Sequence, residues 1–107
     1  MSAVEAEVQG GGAGNLRLAG PLTAVTAPSF RSRVIEAVRE GQTHMVIDLR
    51  AVTVLDAAGI AALLEARRVL EAQPRGTLVL RANAVVCRAL KDTGTIAAFA
   101  LWTGRGT

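Results

Sequence analysis

Asp56, followed by Ala57-Ala58-Gly59-Ile60, is the acidic residue of this chain whose surroundings give it work beyond solvation. A carboxylate placed just before a helix accepts bonds from first-turn N–H groups that have no partner inside the helix. Its charge also meets the positive end of the helix dipole. That is binding chemistry, directed at the chain's own helix, at another molecule, or at both. Nothing nearby extends it to catalysis. His44 is the only histidine and Cys87 the only cysteine, so a thiol has no assured base and a metal no three-residue soft ligand set. Ser29 and Ser32 lie on a charged helix face without triad partners. No catalytic residue, metal or organic cofactor is expected, and the chain is read as a non-enzyme.

Asp56 needs a strand leading up to it and a helix leading away. Residues 45–49 (Met-Val-Ile-Asp-Leu) form a short apolar, β-branched run that predicts a buried central strand, and residues 52–55 lead from it to Asp56. A helix is predicted over about 57–72, with Ile60, Leu63, Leu64 and Leu70 on one stripe. Arg67 falls inside that stripe, where its stem can pack while its head reaches water. Upstream, residues 3–8 alternate apolar and polar, a glycine-rich turn follows at 10–15, and Leu16-Arg17-Leu18 resumes the alternation. These pieces read as a hairpin. A strand rather than a helix follows the glycines, so the turn is not a phosphate cradle.

Gly20-Pro21 is expected to break the second strand. Thr26 is the expected cap of a first helix, with Pro28 in its first turn, Phe30, Val34, Ala37 and Val38 on its apolar face, and Gly41 at its end. Residues 77–81 predict another strand. Asn83 caps a third helix carrying Val86, Ala89 and Leu90 and ending near Gly94, residues 96–102 form a last strand or buried segment, and residues 103–107 a frayed tail. The sum is an α/β fold: one domain over 1–107, core about 3–102, with a mixed sheet of four or five strands covered by helices.

Composition agrees with one compact domain. Half of the 107 residues are apolar, while aromatics are only 3%, so the core is aliphatic and ring-stacking pockets are not expected. The net charge is +3, carried almost wholly by arginines scattered from Arg17 to Arg105. Nucleic acid calls for a concentrated basic footprint, which this chain lacks. No stretch approaches the ~18 apolar residues of a membrane helix, residues 1–9 do not read as a signal peptide, and a lone cysteine suits a reducing, cytoplasmic setting.

The stretch 48–60, Asp-Leu-Arg-Ala-Val-Thr-Val-Leu-Asp-Ala-Ala-Gly-Ile, resembles the signature of the STAS domain family: a central strand, a short connection, then Asp-Ser-(Ser/Ala/Thr)-Gly-Leu opening a helix. Residues 26–31, 63–70 and Thr93-Gly94 resemble the family's first helix start, second helix and third helix end, so the likeness runs over about 3–102. It implies an anti-sigma factor antagonist, a regulatory adaptor that binds an anti-sigma factor of the ATP-binding serine-kinase type and so controls release of a sigma factor. The implied partner-binding residues are Thr26, Asp56, Ala57, Ala58, Gly59 and Ile60. In the family the residue after this Asp is a serine phosphorylated by the partner; here Ala57 holds the phosphoacceptor position and Ala58 follows. Three readings fit: a partner never phosphorylated there, phosphorylation of another hydroxyl such as Thr53, or an engineered Ser→Ala change. The alternative function is a structural STAS subunit of a lipid-transporting ABC system or of a stress-sensing assembly. The oligomeric state, a dimer included, stays open.

Overall fold

A computed structural model describes the backbone of residues 5–9 and 14–102 and the side chains of residues 15–102. The order is β1 (Glu5–Gln9), β2 (Gly14–Leu22), α1 (Ala27–Arg39), β3 (His44–Leu55), α2 (Ala57–Glu71), β4 (Thr77–Arg81), α3 (Ala84–Asp92), a 3₁₀ turn (Ile96–Ala98) and β5 (Ala100–Trp102). The predicted hairpin is present as the antiparallel pair β1–β2; its turn at 10–13 and the tail at 103–107 lie outside the described residues.

The strands form one mixed sheet in chain order, β1-β2-β3-β4-β5, parallel from β2 onward. Each βαβ unit therefore steps one strand in the same direction. Right-handed crossovers then lay α1, α2 and α3 on the same face of the sheet. Burial agrees. Along β3, Met45, Ile47 and Leu49 are buried, while Val46 and Asp48 are half-buried and Arg50 is exposed. The run at 45–49 is central in the sheet as expected, but it packs on one face only. Its period of two, not its overall apolarity, reports this.

The core lies between that face and the helices. Leu16, Leu18, Ile47, Leu49, Leu63, Leu80 and Leu90 are fully buried around Phe30, the bulkiest of the fully buried side chains. Arg67 resolves the irregularity in the α2 stripe. Ala62 and Ala66 complete the buried side with Ile60, Leu63 and Leu70, and Arg67 sits half-buried at its border with Nε 3.3 Å from Glu71 Oε2.

Two expected boundaries move. Gly20-Pro21 does not end β2, which continues to Leu22 through register shifts against β3 at 17/19 and 20/21. The irregular ladder tolerates a proline without an N–H, and Gly20 takes φ +85°, open to glycine without strain. Residues 52–55 are not a connection but the second half of a 12-residue β3, which delivers the chain straight to Asp56.

Candidate functional site

Leu55 closes β3, and Asp56 (φ −99°, ψ −177°) is still extended when α2 begins. Its Oδ1 accepts a bond from the Gly59 amide at 2.8 Å, and its carbonyl accepts from Ile60 N at 2.9 Å. The carboxylate thus caps the helix while the residue remains exposed, and Ala57 beside it is exposed too.

The helix start is seated on the end of β2. Asp56 N donates to Leu22 O at 3.4 Å, and Gly59 lies against that same carbonyl. A Cβ on Gly59 would stand 2.2 Å from Leu22 O and 2.8 Å from Leu55 Cδ1. The residue without a side chain admits a close approach here, and the approaching surface is the chain's own β2.

Past Leu22 the chain turns tightly. Thr26 N and Ala27 N donate to Thr23 O at 3.1 and 2.7 Å. Thr26 does not cap α1 through its side chain. Its buried hydroxyl instead donates to Pro21 O and accepts from Thr23 N, both at 2.9 Å, and so fixes the loop. That loop exposes Val25, 85% accessible, and the end of β3 exposes Val54, 49% accessible.

Six residues were implied as partner-binding, and they divide by depth. Asp56 and Ala57 are exposed and Ala58 is half-buried; Gly59, Ile60 and Thr26 are buried and form the floor on which the others rest. Thr53 is exposed three residues before Asp56. Sequence reasoning missed Val25 and Val54. Their signal was available: each is apolar at a position where the local pattern points to solvent.

Chemically the surface offers one carboxylate half-used by a helix cap, no hydroxyl at 57 or 58, and apolar contacts at its rim. His44 stands apart, at the start of β3, with Nδ1 2.8 Å from Thr77 Oγ1. Cys87 is half-buried on α3. Among the described residues no group of three His, Cys, Asp or Glu side chains could hold a metal, and no helix is long and apolar enough to cross a membrane.

Known structures share this architecture. An anti-sigma factor antagonist from Mycobacterium paratuberculosis superposes with TM-score 0.80 at 25% identity, covering 98% of this chain and 92% of that one. The anti-sigma factor antagonist SpoIIAA in its unphosphorylated form gives TM-score 0.72 at 20% identity, with 95% and 89% covered. SpoIIAA of Bacillus in the phosphorylated form gives 0.66 at 20% identity, with 95% and 93% covered. No curated protein sequence matches significantly. The STAS domain model matches residues 3–104, which takes in every element from β1 to β5, and the chain belongs to the STAS domain family.

Proposed function

We propose that this chain is an anti-sigma factor antagonist that acts by binding, without catalysis, in the cytoplasm. The observation that carries the reading is the exposed start of α2, where Asp56 and Ala57 stand free on a helix seated against β2, with Val54 at the end of β3 and Val25 in the loop after β2 exposed as well, in a STAS chain. The partner is an anti-sigma factor of the ATP-binding serine-kinase type, whose capture frees a sigma factor. Asp56, Ala57 and Ala58 meet it, while Gly59, Ile60 and Thr26 hold the contact surface in shape. The likeness to structures of anti-sigma factor antagonists supports this.

Alanine at 57 makes the association constitutive, because no hydroxyl stands where a phosphate would disrupt it. Replacing Ala57 by Ser restores the switch. A phosphate at the helix start carries roughly −1.5 to −2 charges beside Asp56, repelling a partner that docks on the carboxylate, while the helix dipole tolerates it in the free protein. The test mixes wild type and A57S with the cognate anti-sigma factor, with and without ATP, and measures mass and affinity. Wild type should bind equally in both conditions; A57S should gain one phosphate and lose affinity. A phosphorylated A57S that binds as tightly as wild type would overturn the switch.

The missing hydroxyls at 57 and 58 favour one second reading, a STAS subunit that is never switched, as in a lipid-transporting ABC system or a stress-sensing assembly. Affinity purification separates the two: a soluble kinase-like partner supports the first, a transporter ATPase the second. Thr53, exposed close to the site, is the hydroxyl to examine for phosphate if the wild-type protein is modified in the cell.

A further inference from the structure

The sheet face turned away from the helices carries a row of charge. In register across four strands stand Arg17 on β2, Asp48 on β3, Arg81 on β4 and Trp102 on β5. Glu7 of β1 pairs in register with Arg17 at the outer end. A row that alternates in sign looks like a self-satisfied cross-strand ladder, and in that case Asp48 would serve both arginines beside it. It does not. Both of its oxygens are taken by Arg50, two residues further along β3: Nε to Oδ1 at 3.0 Å, Nη2 to Oδ2 at 2.9 Å, and the Arg50 amide to Oδ1 at 3.0 Å.

Arg81 is left without an oxygen partner at a nitrogen that water does not reach. Its Nε is buried with no hydrogen-bond acceptor among the described residues. Its guanidinium carbon lies 4.0 Å from the centroid of the Trp102 ring, so the aromatic face attracts the cation without taking the place of an oxygen acceptor. The buried Nε is out of a ligand's reach, so a phosphate or carboxylate would meet the Nη end of the guanidinium, a fork that presents two N–H groups to two oxygens. Beside it is a cleft of about 290 Å³ lined by Asn15, Arg17, Val46, Asp48, Arg50 and Arg81. That volume is near the lower end of small-molecule sites. Its wall carries the guanidiniums of Arg17 and Arg81 beside the Arg50–Asp48 ion pair, whose charges offset each other.

We propose that this cleft binds the oxyanion group of a small molecule, a phosphoryl group in preference to a carboxylate, with Arg81 as its principal ligand and Arg17 supplying further positive charge. Val46 gives the body of the ligand an apolar floor between the arginines. The site belongs to the sheet face and stands or falls independently of the partner surface at Asp56.

Trp102 is the only tryptophan of the chain, so its emission reports on the cation beside it. The experiment titrates inorganic phosphate, acetate and, at matched ionic strength, sodium chloride into the protein, read by calorimetry and by tryptophan fluorescence. Phosphate should bind saturably, acetate more weakly, and chloride should not saturate. R81Q should weaken phosphate at least about tenfold, the loss of a charge-assisted bidentate pair. R81K, which keeps the charge and loses the fork, should fall nearly as far. D48N should tighten binding, because it releases the Arg50 guanidinium from its ion pair. R33Q, on α1, should bind as wild type. Each variant is first shown to be folded by its unfolding curve, and R81K stands in if R81Q does not fold. Absence of saturable phosphate binding by both readouts would overturn the proposal. So would chloride reproducing the response, or R81K binding as tightly as wild type.

Discussion

Asp56 uses one side chain in two directions: it closes the first turn of α2 and leaves its charge at the surface. The two uses separate by substitution. D56A removes the cap and should cost about 1 kcal/mol of stability in urea unfolding. It should cost partner binding more, about 1.5–3 kcal/mol, as expected when a hydrogen bond to a charged group is lost. D56N keeps a side-chain oxygen that caps as well as a carboxylate, so its unfolding midpoint should stay near wild type while partner affinity falls. Unchanged binding by D56N would reduce Asp56 to a cap. Asn83 does for α3 what Asp56 does for α2, accepting from Val86 N at 2.9 Å. It also ties the helix to β3 by donating from Nδ2 to the Arg50 and Val52 carbonyls. Both caps are readable from sequence because Asp and Asn stand immediately before apolar helical patterns. Thr26 misled the same rule. Its hydroxyl found a carbonyl five residues back, a partner that a local spacing rule does not see.

At the scale of elements, the seat of α2 on β2 depends on Gly59. G59A should strain the contact with Leu22 and cost about 1–3 kcal/mol, the usual range for overpacking. The obstacle is a backbone carbonyl that cannot rotate away, and a shifted urea midpoint with an unchanged slope checks it. The middle of β3 gives a pH-dependent prediction. The Arg50 guanidinium, hydrogen-bonded to Asp48, holds that carboxyl below its usual range, against an opposing push from burial. A folded-state value below the unfolded one stabilises the fold at pH above about 4, and the gain is lost as pH falls through the folded value. The difference in urea midpoint between wild type and D48N should therefore be constant near neutrality and close on acidification; a gap that persists in acid would break the assignment. The elements themselves were legible because periods of 2 and 3.6 dominate short segments. What was not legible depended on pairing. The run at 45–49 looks buried on both sides until its neighbours are known, and Gly20-Pro21 reads as a break unless β3 is there to absorb the irregular register. The candidate surface was half legible for the same reason. Asp56 and Ala57 belong to a local motif, whereas the burial of Gly59 and Thr26 depends on contacts across the chain.

Across the whole molecule, stability rests on an aliphatic core. Leu63, fully buried beneath α2, should cost about 2–5 kcal/mol when cut to alanine. That is a large part of the roughly 5–15 kcal/mol that holds a domain folded, and thermal and urea unfolding will show it. Chelator should leave the melting curve unchanged, since the described residues hold no cluster of metal ligands; a sharp fall on chelation would mean that the fold uses an ion. The order of the strands also bears on how the protein comes into being. Because β1 to β5 lie side by side in the order in which they are written, each strand after the first meets, as it emerges from a ribosome, a neighbour that has already been made. Every parallel pairing closes over a single intervening helix, so no strand must wait, exposed, for a distant partner still to be synthesised, as long-range pairing would require. The fold can grow across the sheet in step with translation, its advancing edge covered in turn by the next βα unit until the short β5 ends it.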